Sequence, residues 1–264
     1  MNYYIKTYST FFKKSLIAKM EYRKDLFIGI LGFFLENLAS VLSIYFIIRN
    51  IPSLQGWTMY ELGLLYGFTM LPIGVDHFFT DELWRVAYFR VKQGDVDRYF
   101  LRPAPVLFQI IADKVQLEAL GELILGIIMF CVCAANCKIN WSFQFVLLLF
   151  IAVIFGALII TSIKIFTTAF AFVIKRSGMI TQVFYNFKDY AKYPVTIYPS
   201  FIRAIMLFIA PFGLITSMPI QAILFGTYNI PLLMVKIILM TALFLIISIA
   251  TWNICIKHYE SSGS

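Results

Sequence analysis

The sequence predicts an all-α membrane protein with six transmembrane helices. Hydrophobic residues make up 61% of its 264 residues and charged residues only 14%, which is more apolar than a soluble domain can be. Apolar runs of about 20 residues, the length of helix that crosses a hydrocarbon core, recur along the chain. Alternating stretches of about ten residues, typical of a membrane β-barrel, are not found. We therefore expect one transmembrane domain over residues 1–264, built as a helical bundle.

The first segment, residues 1–24, is predicted to be an amphipathic helix in the membrane interface. Apolar and aromatic residues fall on one helical arc, and Lys, Ser and Thr fall on the other. A basic anchor beside the membrane and a specific docking segment are equally good interpretations of this pattern. No small-residue cleavage site follows a short apolar core, so we do not expect a cleaved signal peptide.

Five transmembrane spans are clearly delimited, and a sixth is expected in a region that prolines interrupt. The clear spans are Leu26–Ile48, Thr58–Thr80, Val115–Ala135, Ser142–Lys164 and Pro231–Ile256. The remaining span, fifth in chain order, is expected within Gly178–Phe225. The prolines of this region are Pro194, Pro199, Pro211 and Pro219. Its limits stay open because Lys188, Asp189 and Lys192 lie near its start.

Lys and Arg concentrate on one side of the predicted bundle. They occur within residues 6–24, within residues 85–114 and at Lys175 and Arg176, whereas the opposite side carries only Arg49, Lys138 and Arg203. Because cytoplasmic loops have an excess of Lys and Arg, both termini are expected in the cytoplasm. Basic residues beside anionic lipid account for the net charge of +8 without a nucleic-acid partner.

The loop between the second and third spans contains a compact charged segment, GDVDRYFLRP, at residues 94–103. Gly94 allows a sharp turn, Asp95 is a good N-cap and Pro103 breaks the segment at its far end, so a short helix is predicted over Val96–Arg102. The residues expected to pack on the bundle are Val96, Tyr99, Phe100 and Pro103. Those expected to face the cytosol are Asp97, Arg98 and Arg102. A solvated charged loop is the alternative, although such a loop does not need three consecutive apolar residues.

Four polar residues lie inside predicted spans, where a carboxylate facing lipid costs about 3 kcal/mol. They are Glu36 and Asn37 in the first span and Glu118 and Glu122, one turn apart, at the start of the third. We expect them to face the bundle, a subunit seam or water, which makes them candidates for the substrate path. For Glu118 and Glu122, pairing with Lys114 or a position at the membrane interface is an equally good interpretation.

Other residue patterns favour structural roles. Asp76, His77, Asp81 and Glu82 are types that bind metals or move protons, but no His-Glu-x-x-His motif accompanies them, so helix capping and anchoring are favoured over a metal or catalytic site. Cys131, Cys133 and Cys137 are expected to be buried thiols rather than a disulfide. Gly63-x-x-x-Gly67 is expected to pack helices closely. No Gly is followed by Lys, so the phosphate-binding loop of an ATPase is absent.

Residues 89–103, FRVKQGDVDRYFLRP, resemble the Gly-acid-apolar-Asp-x-x-apolar-Leu-Arg-Pro motif of a branch of the type-two ABC export permeases. The pattern Tyr193-Pro194-x-x-Ile197-Tyr198-Pro199, followed by Pro211-Phe212 and Pro219, is similar to that branch's pattern before its last helix. The resemblance implies a cytoplasmic coupling helix within residues 81–113 and short re-entrant outer helices over residues 199–226. Carried over by position, the residues that would form the ATPase-coupling region are Gly94, Asp95, Asp97, Arg98, Tyr99, Phe100, Arg102 and Pro103.

The resemblance implies a permease subunit of an ATP-driven exporter in the cell membrane of a bacterium. Its partners would be an ABC ATPase subunit, which holds ATP and Mg, and a second permease subunit, identical or related. This chain would hold no cofactor and move an amphipathic or hydrophobic substrate outward. Two alternatives stay open: a proton-driven transporter using Glu36 and Glu118, and a lipid-modifying membrane enzyme with its site at Asp76–Glu82.

Overall fold

The computed structural model describes residues 2–50, 54–174 and 177–260, in which all regular secondary structure is helical. Lys175 and Arg176, which contributed to the predicted orientation, lie outside these ranges. The α-helices are α1 (Asn2–Glu21), α2 (Arg23–Asn50), α3 (Met59–Thr80), α4 (Glu82–Arg85), α5 (Val91–Gln93), α6 (Asp97–Phe100), α7 (Val106–Asp113), α8 (Leu120–Asn136), α9 (Phe143–Ala169), α10 (Ala171–Ile174), α11 (Gly178–Tyr190), α12 (Ser200–Ala204), α13 (Phe212–Ile215), α14 (Ser217–Phe225) and α15 (Ile230–Cys255). Two π-helical turns, Val86–Arg90 and Ile205–Ile209, and three 3₁₀ turns, Leu117–Ala119, Val195–Ile197 and Ile256–His258, complete the elements.

Within the described residues, five helical stretches are long and apolar enough to cross a membrane, and they coincide in position with the five clear spans of the sequence. They are Arg23–Phe46, Met59–Thr80, Leu117–Asn136, Phe143–Ile174 and Ile230–His258. The side chains of Thr58, Ser142 and Asn229 each accept a backbone N–H at the start of α3, α9 and α15, which fixes where these helices begin. The predicted end of the fourth span at Lys164 is wrong, because the helix continues past this residue and buries it.

The chain between residues 178 and 225, where the sixth span was expected, is a series of short helices. Helix α11 ends level with the middle of α3, where the Thr69 hydroxyl donates to the Ala191 carbonyl at 3.3 Å. The segments Ser200–Ile209 and Phe212–Phe225 come next and form a pair bent by 73°. Counting this pair as one gives six spans in the described chain. Prolines cause the breaks, since Pro194, Pro199 and Pro211 directly precede the Val195–Ile197 turn, α12 and α13.

Helix α3 is the central element, packed between α8 and α9. Its glycines allow α8 to approach closely: a Cβ on Gly67 would lie 2.7 Å from the backbone N of Phe130, and one on Gly63 would lie 2.5 Å from Cys133 Sγ. The predicted packing role of Gly63 and Gly67 is confirmed. Helix α2, in contrast, is peripheral, because only 6% of the apolar stretch within its span is buried by the rest of the protein.

Candidate functional site

The segment at residues 94–103 stands on a helical extension of α3. Helix α4, the π-helical turn and α5 continue from α3 to Gly94, which adopts a left-handed conformation with φ of 76° and turns the chain sharply as predicted. Helix α6 covers only Asp97–Phe100 and is shorter than predicted. Asp95 does not cap it, because the Asp97 N–H is already bonded to the Gly94 carbonyl at 3.1 Å.

The phenol of Tyr99 is the centre of a buried polar cluster that fixes α6 in place. Tyr99 is fully buried, and its hydroxyl donates to Asp113 Oδ2 at 2.9 Å while accepting from Arg98 at 2.8 Å and from Arg90. Asp113 also accepts from Arg98 at 2.9 Å and from Arg90 at 3.2 Å, and Arg90 pairs with buried Glu82. Burial raises the pKa of Tyr99 to about 12, so the phenol stays protonated and able to donate. The cluster therefore ties α6 to α7 and to the extension of α3.

A second set of contacts ties α6 to the end of the chain. The Tyr259 hydroxyl donates to Asp97 Oδ1 at 2.8 Å, and its ring stacks on Phe100 with centroids 5.3 Å apart and planes 2° apart. Phe172 meets the Tyr259 ring edge-on at 5.5 Å. The loop thus contacts the end of the last span as well as α3 and α7.

These contacts correct the predicted division of residues 94–103 into two sides. Val96 and Tyr99 are buried as predicted, but Phe100 is 44% exposed. Asp97, predicted to face the cytosol, is half-buried and accepts from the Tyr259 hydroxyl. Arg98 is exposed as predicted, and its guanidinium also bonds to Asp113 and to the buried Tyr99 hydroxyl. Four exposed residues of this segment lie outside these two sets of contacts and are here called the loop tip: Asp95, Leu101, Arg102 and Pro103.

An ion pair buried between α3 and α9 was not predicted. Lys164 Nζ lies 2.6 Å from Asp76 Oδ2, and both side chains are at most 1% exposed. The hydroxyls of Thr80 and Thr161 donate to Asp76 Oδ1 at 2.7 and 2.8 Å, and Asp81 lies 3.5 Å from the ammonium. The predicted capping and anchoring roles are therefore wrong for Asp76, whose charge Lys164 compensates inside the bundle.

A polar chain next to this ion pair connects α3 with α8 and α11. His77 Nδ1 lies 2.7 Å from Glu122 Oε2, and the other ring nitrogen meets the Tyr185 hydroxyl. All three side chains are buried, so Glu122 faces the bundle, one of the three positions expected for it. Among the described residues, no group of three or more His, Cys, Asp or Glu side chains is placed to hold a metal ion. The thiols of Cys131, Cys133, Cys137 and Cys255 are free.

A cavity of about 330 Å³ opens between α2, α3, α8 and α11. It brings Glu36, Asn37 and Glu122 together, three of the four residues predicted for the substrate path. Helix α11 and the residues after it also contribute the polar side chains of Gln182, Asn186, Lys188, Asp189 and Lys192. None of them was predicted to line the substrate path, although three of them had left the limits of the fifth span open. The lining thus combines amide groups with charges of both signs.

Glu118 lies away from this cavity. It pairs with Lys19 of α1, and its methylene group fills the space above Gly29 of α2. Pairing of Glu118 with Lys114 is therefore wrong, because the closer cation comes from the N-terminal helix. Glu118 and Glu36, the two residues of the proton-driven alternative, therefore do not line the same cavity.

The chain matches one known family over most of its length. Residues 34–263 match the family described as ABC-2 family transporter protein. No curated protein matches the chain. The match includes the loop at residues 94–103, the cavity and all of the candidate spans except the start of the first. Proteins of this family are membrane subunits that work with an ABC ATPase subunit. The chain therefore belongs to the ABC-2 transporter family and is a multi-pass permease subunit of an ABC transporter.

Proposed function

We propose that this permease exports its substrate and that the loop tip docks on the ATPase subunit. The observation that carries the proposal is that Leu101 and Arg102 are exposed, although the segment to which they belong is held in one position by buried side chains. Gln109 adds to this support by donating to the Tyr99 and Ala104 carbonyls at 2.8 and 2.7 Å. An apolar side chain next to an arginine suits the centre of a protein interface, whereas a solvated loop needs no such rigid support.

Movement of the ATPase would pass from the loop tip into the bundle through α3. The Tyr99 cluster joins α6 to Arg90, and the π-helical turn that contains Arg90 continues through α4 into α3. Because α3 packs between α8 and α9, a displacement of its extension would change how these helices surround the cavity. The Lys/Arg-rich side, with both termini, would face the cytoplasm of a bacterial cell.

The cavity supports an amphipathic substrate with a polar part. Its lining includes hydroxyl, amide and charged groups, which a purely hydrophobic molecule would leave without partners. Glu36 lies exposed at its edge on α2, which is the least buried of the candidate spans in the described chain. We propose that a second permease subunit packs against α2 and completes the path at this edge.

Arg102→Glu tests the docking of the ATPase. Reversing a charge that becomes buried against a partner costs about 2–5 kcal/mol, so the amount of co-purified ATPase should fall at least about tenfold. Membrane insertion should stay normal because the side chain is exposed. Lys138→Glu, the same reversal on the opposite side of the bundle, should behave as wild type. Wild-type ATPase binding and transport by Arg102→Glu would contradict docking at the loop tip.

Glu36→Gln tests the cavity as part of the substrate path. The substitution keeps the shape and removes the charge, and a lost hydrogen bond to a charged group is worth about 1.5–3 kcal/mol. We expect transport at limiting substrate to fall about tenfold or more, with ATPase binding retained. Glu21→Gln removes an exposed acid outside the cavity and serves as the control. Unchanged transport by Glu36→Gln over a range of substrate concentrations would leave Glu36 with a structural role only.

A further inference from the structure

A second cavity, of about 500 Å³, lies between α1 and the segment that joins α7 to α8. Its lining includes the cationic side chains of Lys14, Lys19, Arg85 and Lys114, and the aromatic side chains of Phe11 and Tyr22. The Val115 N–H donates to Ser15 Oγ at 3.3 Å, which links α1 to the far wall. This cavity shares no lining residue with the cavity at Glu36.

The position of this cavity relative to the spans places it at the depth of lipid headgroups. Tyr22 directly precedes the first span at Arg23, and Gln116 directly precedes the third span at Leu117. Arg85 follows the second span, which ends at Thr80 on the same side. The three walls therefore meet where spans enter the membrane on the Lys/Arg-rich side of the bundle.

The charges of the cavity suit an anion. Against four cations, the lining contains one carboxylate, Asp113, which already accepts from Arg90, Arg98 and Tyr99. Lys19 pairs with Glu118, and Arg85 lies 4.0 Å from Glu82. Lys14 and Lys114 are exposed and make no ion pair with any residue that the structure describes. Two ammonium groups from separate elements thus remain available to one ligand.

We propose that this cavity binds the phosphate headgroup of an anionic phospholipid from the surrounding leaflet. The ammonium groups of Lys14 and Lys114 donate to the phosphate oxygens, and the apolar parts of Phe11 and Tyr22 cover the glycerol and the start of the acyl chains. The lipid bridges α1 and the segment that joins α7 to α8, and so holds the N-terminal helix against the end of α7, where Asp113 lies. The site is separate from the proposed substrate path and does not depend on it.

The test uses the full chain purified with its ATPase in detergent, with lipid binding measured by native mass spectrometry. The probes are phosphatidylglycerol and phosphatidylcholine with the same acyl chains, and we expect selective binding of phosphatidylglycerol. A basic side chain near an anionic lipid contributes about 1 kcal/mol, so Lys14→Gln with Lys114→Gln should weaken that binding about thirtyfold, and each single variant about fivefold. Lys13→Gln with Lys92→Gln removes two exposed charges outside the cavity and should leave it unchanged.

Three outcomes would overturn the proposal. Equal binding of the two lipids would show that the headgroup charge is not recognised. If Lys13→Gln with Lys92→Gln weakened the binding of phosphatidylglycerol equally, the overall charge, and not this cavity, would attract the lipid. Displacement of phosphatidylglycerol by inorganic phosphate at similar concentration would assign the cavity to a free phosphate instead of a lipid. Thermal unfolding of each variant establishes that a loss of binding is not a loss of the fold.

Discussion

Lys164→Met is expected to destabilise the permease by about 3–5 kcal/mol and to prevent its assembly with the ATPase. Removing one partner of a buried ion pair leaves the other charge without compensation. Here the remaining charge is Asp76, whose side chain is fully buried between α3 and α9. Asp81, 3.5 Å from the same ammonium, loses its partner as well. Thermal unfolding in detergent and the yield of ATPase complex measure the effect.

Two variants separate the loss of this ion pair from the loss of a lysine. Lys236→Met removes an exposed lysine from the last span and should change the unfolding temperature little. Adding Asp76→Asn to Lys164→Met should restore much of the stability, because the amide oxygen of Asn can still accept from Thr80 and Thr161. Wild-type stability of Lys164→Met would contradict the description of this pair as a link between α3 and α9.

The spans could be predicted from sequence because they depend on local composition, whereas the ion pair depends on contacts between distant residues. A window of apolar residues is enough to locate α3 and α9. The same reasoning placed the end of the fourth span at Lys164, because a lysine that faces lipid is costly. The sequence does contain a signal for the ion pair. Apolar residues continue beyond Lys164, and Asp76, which carries the opposite charge, lies in another span.

The loop at residues 94–103 was predictable to a similar extent. The turn at Gly94 and the burial of Val96 and Tyr99 follow from residue type and spacing, which are local properties. The surroundings of Asp97 and Arg98 do not, since their partners Tyr259 and Asp113 come from other elements. For the same reason Lys19, the partner of Glu118, and Tyr185, the partner of His77, could not be predicted.

The helices between residues 178 and 225 show a different limit. Their prolines indicated interruptions, but not how deep each short helix lies. Ala191 is held level with the middle of α3 by its contact with Thr69, which no local pattern encodes. The polar residues Lys188, Asp189 and Lys192 made the span uncertain in sequence, and in the structure they line the cavity. A polar cavity inside the bundle therefore accounts for charges that a lipid-facing span would not tolerate.

The coupling proposal depends most on Tyr99, which joins the loop tip to the rest of the permease. Its ring is fully buried, and its hydroxyl bonds to Arg90, Arg98 and Asp113. Removing a buried aromatic side chain costs about 3–5 kcal/mol. Because such a substitution leaves the residues of the loop tip in place, the contact with the ATPase and its transmission to α3 can be separated by experiment.

Tyr99→Ala is expected to leave the ATPase bound and hydrolysing ATP while transport per ATP hydrolysed falls at least about tenfold, since a displaced α6 no longer moves the extension of α3. Tyr99→Phe keeps the ring and leaves Arg90 and Arg98 paired with Asp113, so its effect should be smaller. Phe89→Ala truncates an aromatic residue of the same extension that is 56% exposed, and should retain wild-type coupling. Transport and hydrolysis are measured in the same membranes. If Tyr99→Ala and Phe89→Ala were coupled equally well, the buried cluster would not transmit the movement.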